Sequence, residues 1–276
     1  VFIFKSIIVA IVQGMTEFLP VSSTGHMILV GDLIGFPETE FTKMFNVVIQ
    51  LGSILAIVVL YWDKLWGLVK SFFRKEKKGI NFVIAILIGI IPAAIVGLLF
   101  DDLIDKYLFK SIPVIIGLVT GAILLIYVEN KFRDKATVDS VDKITKGNAL
   151  RVGLYQCLAL WPGMSRSSST IMGGWISGLD SKTASEFSFF LAIPVMAGAS
   201  LLKTLKFQSN VGFHTLGSTE LVAFIIGFIV AFLVALVVVR RFINFIQKRS
   251  MKVFAYYRIA ISIVFAILIF SNVVTV

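Results

Sequence analysis

Six runs of this chain, roughly 42–62, 82–100, 112–129, 184–203, 220–239 and 254–274, are apolar over lengths close to what a helix needs to cross a bilayer, about 20 residues. In hydrocarbon every backbone N–H and C=O must be satisfied within the segment, so each run is expected to be a membrane-spanning helix. The overall balance agrees. Over 276 residues, 58% are hydrophobic and 15% charged, too few charges for a soluble domain of this size to cover its surface. The same balance excludes disordered and fibrous classes. A single cysteine, Cys157, allows neither an intrachain disulfide nor a cysteine zinc site, and His26 and His214 are too far apart for a paired-histidine metal helix. The start, Val1 to Val12, is apolar without a basic leader or cleavage site. It reads as part of the fold, with the missing Met reading as a trimmed start.

Two further apolar stretches, 1–36 and 147–180, are each broken by a proline and a cluster of Ser, Thr and Gly. Neither half of either can span alone, so both are expected to be re-entrant helix–loop–helix hairpins. Shifting the chain by 142 residues lays Pro20-Val-Ser-Ser23-Thr on Pro162-Gly-Met-Ser165-Arg, and Phe45-Asn-Val-Val on Phe187-Ser-Phe-Phe. Each half then holds one hairpin and three spans. Three is odd, so the second half enters the membrane upside down. The expected fold is an all-α polytopic membrane protein, one membrane domain over 1–276. Six transmembrane helices and two re-entrant hairpins form two inverted-topology repeats, 1–130 and 147–276. The net charge of +10 would suit nucleic acid if it were one patch, but it is not: loops 63–81, 130–151 and 240–252 carry seventeen Lys and Arg, against four in 101–111 and 203–219. The positive-inside rule puts the three basic loops in the cytoplasm and both termini outside. No nucleic acid partner is expected. Trp62 and Trp66 fit an interfacial belt.

A charge at bilayer depth costs about 2.5–3.5 kcal/mol on insertion scales, so each one calls for a reason. In Gln13-Gly-Met-Thr-Glu17-Phe-Leu-Pro20-Val-Ser22-Ser23-Thr24-Gly25-His26, Gln13 and Glu17 share a helix face. Pro20 breaks the helix. Ser22 to Gly25 can cap a second one, offering hydroxyls and free N–H groups to a phosphate. His26 sits at its start as a candidate proton carrier. The second cluster, Pro162-Gly-Met-Ser165-Arg166-Ser167-Ser168-Ser169-Thr170, places five hydroxyls around one guanidinium, a planar fork suited to phosphate oxygens. The structural alternative for both is a capped hairpin with Arg166 salt-bridged to Glu17 or Glu186. Glu186 reads equally as catalytic, as that partner, or as a residue near the cytoplasmic face. His214 reads as a solvated loop residue. Acidic residues are spaced poorly for a metal: Glu17 alone, with Gln13, is placed to reach one. Mg²⁺ often binds through one or two carboxylates plus substrate phosphates.

These two runs resemble the two signatures of the bacterial undecaprenyl-diphosphatase family of the bacitracin-resistance type. The first signature has Glu or Gln followed four residues on by Glu; the second reads Pro-Gly-x-Ser-Arg-Ser-x-x-Thr. The likeness extends through Phe45–Ile54 and Glu186–Pro194 along nearly the whole chain. It implies a membrane phosphatase of the bacterial cell membrane that hydrolyses undecaprenyl diphosphate to the monophosphate and inorganic phosphate. That reaction recycles the carrier lipid for peptidoglycan synthesis. By resemblance Ser23 is the nucleophile; Glu17 and His26 are acid/base and metal-linked positions, with Glu17 the one metal ligand. Arg166, Ser165 and Thr170 bind phosphate, and Gln13, Ser22, Thr24, Gly25 and Ser167 complete the substrate site. A divalent cation, Mg²⁺ or Ca²⁺, and a homodimer are further expectations. Two departures stand out. Position 13 is Gln where many members have Glu, which removes a second carboxylate ligand. Positions 168 and 169 are Ser-Ser where Gly-Ala is common.

The expected chemistry has Ser23 attack the terminal phosphorus while His26 or Glu17 takes its proton, with Arg166 and the hydroxyl-rich turns holding the anion. A water attacking directly, with Ser23 only binding, is the variant within this class. Rivals are a lipid-phosphate flippase on the same scaffold, a histidine-nucleophile lipid phosphatase, which would need a second site histidine, and a membrane scaffold, which would need neither cluster.

Overall fold

The computed structural model describes residues 1–271, and among these it contains eleven α-helices, three short 3-10 segments and no strand. Six helices are long and apolar enough to span: α3 (Glu40–Leu60), α5 (Lys77–Leu108), α6 (Ser111–Phe132), α9 (Ser181–Asn210), α10 (Ser218–Lys248) and α11 (Lys252–Phe270). Each coincides with one expected run, although the expected end of the last, 272–274, lies outside the described residues. The two broken stretches fold as helix pairs: α1 (Phe2–Thr16) with α2 (Ser23–Ile34), and α7 (Lys146–Gln156) with α8 (Arg166–Ile176), the latter through a 3-10 turn at Cys157–Leu160. The remaining helix, α4 (Trp62–Phe73), occupies a segment expected to be loop. There Trp62 and Trp66 stack on an exposed face while Leu68 turns inward.

The helices exceed the apolar runs. α5, α9 and α10 have 32, 30 and 31 residues, and Arg240 and Arg241 are still helical in α10. Hydropathy reports the thickness of the hydrocarbon layer, whereas a helix ends where its propensity or a breaker ends it.

Burial is polarised as it is in lipid. Leu98, Leu99, Ile123, Ile225, Leu233 and Ile267 lie outward, while Gln13, Glu17, Ser23, His26, Ser167, Thr170, Ser188 and Arg258 are buried. With no hydrophobic drive between helices in lipid, close packing depends on small residues. α10 packs on α1 and α3, and α7 packs on α5. A Cβ on Gly14 would lie 2.7 Å from the Ala231 carbonyl, and one on Gly153 would lie 2.7 Å from the Gly89 carbonyl. Gln156 donates to that same carbonyl at 3.4 Å. α11 packs on α6. The turns before α2 and α8 meet in the interior, where the Gly163 amide donates to Ser22 Oγ at 3.1 Å.

Candidate functional site

The α1–α2 connection follows from its residues. Thr16 donates to Val12 O at 2.6 Å, Glu17 stays in helical conformation, and Pro20 ends the run. Ser22 then caps α2, its side chain accepting from the Gly25 amide. The α7–α8 connection ends the same way, with Ser165 capping α8 and accepting from the Ser168 amide. Both caps have φ of 73°, a region that costs a non-glycine residue of order 1–2 kcal/mol. The caps are 143 positions apart, one more than the gap-free shift of 142. The structural counterparts are therefore Ser22 with Ser165 and Ser23 with Arg166, because one extra residue is accommodated between Pro162 and its cap.

Glu17 is the centre. Its Oε2 accepts from the Gln13 amide and from the Ser23 hydroxyl, both at 2.7 Å. Its Oε1 accepts from Arg166 Nη2 at 2.9 Å. Ser23 Oγ and the guanidinium therefore share one carboxylate and lie within about 8 Å of each other. Arg166 Nη1 donates to the carbonyl and hydroxyl of Ser188 on α9 at 3.0 and 3.2 Å. Its guanidinium also lies over the Phe18 ring, 5.7 Å from the centroid. Among the described residues, the amides of Ser23, Thr24, Arg166 and Ser167 donate to no partner. Two helix N-termini thus leave four backbone donors free.

The other expected residues take distinct places. Ser22 Oγ joins the two turns. Thr24 is half-buried and Gly25 fully so. Ser165 Oγ meets Ser167 Oγ at 3.0 Å, Ser167 donates to Leu19 O, and Thr170 Oγ1 donates to Arg166 O while meeting Ser188 Oγ at 2.7 Å. Ser167 and Thr170 therefore brace the turn that carries Arg166. His26 Nδ1 meets the Ser22 carbonyl at 2.8 Å and Nε2 meets the Tyr257 hydroxyl at 2.9 Å. A carbonyl only accepts, so Nδ1 carries the proton; in the neutral ring Nε2 then accepts from Tyr257. Both ring nitrogens are committed, and neither bonds Ser23. Glu186 is not the partner of Arg166: it accepts from Lys64 at 2.5 Å. His214 is exposed in the 3-10 turn Phe213–Thr215.

Three participants escaped the sequence reading: Ser188, Tyr257 and Arg258. The last is fully buried in α11, and a charge inside an apolar run was its available signal.

The protein ligands within reach of a cation at this site are few. No group of three or more His, Cys, Asp or Glu side chains converges among the described residues. Both Glu17 oxygens are already engaged, and Gln13 Oε1, buried without a partner, is the one free oxygen beside them.

A family model described as "Bacitracin resistance protein BacA" matches residues 6–264. Among curated relatives, "Undecaprenyl-diphosphatase" of Clostridium tetani is 54% identical over 274 residues, covering 99% of both chains. The protein of the same name from Clostridium perfringens is 51% identical over 302 aligned positions, covering 99% of this chain and 98% of its own. "Undecaprenyl-diphosphatase 2" of Clostridioides difficile is 53% identical over 284, covering 100% and 98%.

Proposed function

Because the chain belongs to the bacitracin resistance protein BacA family, we propose a mechanism for the reaction its relatives are named for, built on the Glu17-centred network. The chain is a multi-pass membrane hydrolase. It converts undecaprenyl diphosphate to undecaprenyl phosphate and inorganic phosphate, and so returns the carrier lipid to cell-wall synthesis.

One observation carries the mechanism: the Ser23 hydroxyl donates to the same carboxylate that holds Arg166. Ser23 attacks the terminal phosphorus, and Glu17 Oε2, already holding the hydroxyl proton, takes it as the O–P bond forms. The bond to the bridging oxygen breaks and undecaprenyl phosphate leaves. Water then releases inorganic phosphate from Ser23. Arg166 and the free amides of the two helix N-termini hold the oxygens on which charge sits. His26 fixes the Ser22 carbonyl beside the nucleophile, and the proton transfer belongs to Glu17. Mg²⁺ or Ca²⁺ enters this reading only as an ion carried in by the diphosphate, with Glu17 its single protein carboxylate; no step depends on it. Phosphate release by purified protein in detergent tests the reading, since cleavage needs no sidedness. Lipid transport without cleavage would leave the diphosphate intact.

The arrangement in the membrane belongs to the same proposal. α1–α2 and α7–α8 are re-entrant hairpins of two inverted repeats, 1–130 and 147–276, within one membrane domain. The pairings α1 with α10 and α7 with α5 support this, as they exchange under the repeat. Loops 63–81, 130–151 and 240–252 face the cytoplasm and the termini lie outside. Single cysteines placed in those loops, in a C157A background, should be protected from impermeant thiol reagents in intact cells; labelling would reverse the orientation. A homodimer would place two such units side by side, and light scattering of the detergent-solubilised chain tests it.

A further inference from the structure

Arg258 is absent from the reaction just described, yet it is the side chain on which both turns converge. Its Nη2 donates to the carbonyls of Gly163 at 2.7 Å, Met164 at 3.2 Å and Gly117 at 3.2 Å. Its Nη1 donates to the Pro20 carbonyl and to Ser168 Oγ, each at 3.4 Å. One guanidinium therefore ties the turn before α2, the turn before α8 and α6 together. α6 is built for it: a side chain at Gly121 would overlap the guanidinium. Gly163 lies at a φ of 99°, which suits glycine, and its own Cβ would press on α6.

Its charge is also unusual. Among the described residues Arg258 pairs with no carboxylate, and its Nε has no partner. The other ionisable groups near the turns are committed: Arg166 is neutralised by Glu17, Glu186 is held by Lys64, and Asp32 accepts from Ser111 near the far end of α2. His26 is engaged by Ser22 and Tyr257. With Glu17 and Arg166 cancelling, the surplus positive charge behind the turns belongs to Arg258. A lone buried guanidinium opposes folding unless an anion later answers it.

We propose that Arg258 is a positioning residue of the phosphate site. It locks the two turns against each other, and it supplies through space the net positive charge that draws in the diphosphate, without touching it. This rests on the hydrolytic reading above. The two functions of Arg258 can be separated, because Lys keeps the charge but cannot reach five oxygens at once.

The experiment uses the full chain in detergent, with inorganic pyrophosphate as a competitive probe against undecaprenyl diphosphate hydrolysis and thermal unfolding as a folding control. Arg258→Gln should weaken pyrophosphate inhibition about tenfold and raise KM to match. Arg258→Lys should hold pyrophosphate inhibition within about threefold of wild type while kcat falls about tenfold. Folded Arg258→Gln with wild-type inhibition would overturn the proposal, as would a Lys variant that loses pyrophosphate as badly as Gln. If the Gln variant does not fold, the Lys variant decides alone: preserved inhibition with lowered kcat supports the proposal, and an equal loss of both contradicts it. A wild-type protein that releases no phosphate would instead overturn the hydrolytic reading.

Discussion

The turns before α2 and before α8 are the same device with different residues. Each ends on a serine at φ 73° whose hydroxyl caps the following helix. The first helical residue is Ser23 in one and Arg166 in the other. One backbone shape, used twice, thus presents a hydroxyl from one side and a guanidinium from the other, and Glu17 bridges them. The caps differ in reach as well. Ser22 Oγ accepts from Gly163 across the gap, whereas Ser165 Oγ stays with Ser167 and Ser168 in its own turn. In the proposed mechanism the first turn carries reaction and the second recognition, and Ser22 Oγ adds one of the joints between them.

Substitutions can break that division of labour. Ser23→Ala should have the largest effect, cutting phosphate release about a thousandfold or more; near-normal turnover would reduce Ser23 to a binding group. Arg166→Lys should cost about a hundredfold in kcat, because a point charge cannot engage Glu17 and Ser188 while also gripping phosphate. A variant within a fewfold of wild type would show that charge alone suffices. The caps should then separate. Each Ser→Ala change removes a cap worth roughly 1 kcal/mol, but Ser22→Ala should lower both the melting temperature and kcat more than Ser165→Ala, since it also orphans the Gly163 amide. Equal effects would deny the cross-turn joint. The smallest effect, a fewfold, is expected for Tyr257→Phe. It removes the donor to His26 Nε2 and leaves the bond to Ser22 in place; a loss as large as that of Ser23→Ala would return the proton transfer to His26.

How far the sequence could be read depended on the range of each signal. Spans were legible because each is a local run whose average hydropathy survives a few polar residues. The two turns were legible because proline and clustered hydroxyls sit within a few positions of one another. The extra lengths of α5, α9 and α10 were not, since a helix in the headgroup region needs no apolar residues. Ser188, Tyr257 and Arg258 reach partners that lie from 18 to 238 positions away, and no local pattern encodes such contacts. Arg258 was hidden by the very averaging that revealed its span. Glu17 with Arg166 was one of two pairings the residues allowed, and three-dimensional proximity chose it over Glu186.

The most direct test of the account is to acid-quench the wild-type enzyme during turnover of undecaprenyl diphosphate and map phosphorylated peptides by mass spectrometry. Attack by Ser23 predicts a phosphate on the Ser23 hydroxyl that forms with turnover and is absent from Ser23→Ala. An unmodified Ser23 throughout turnover, together with a Ser23→Ala protein that still releases phosphate at close to the wild-type rate, would contradict it.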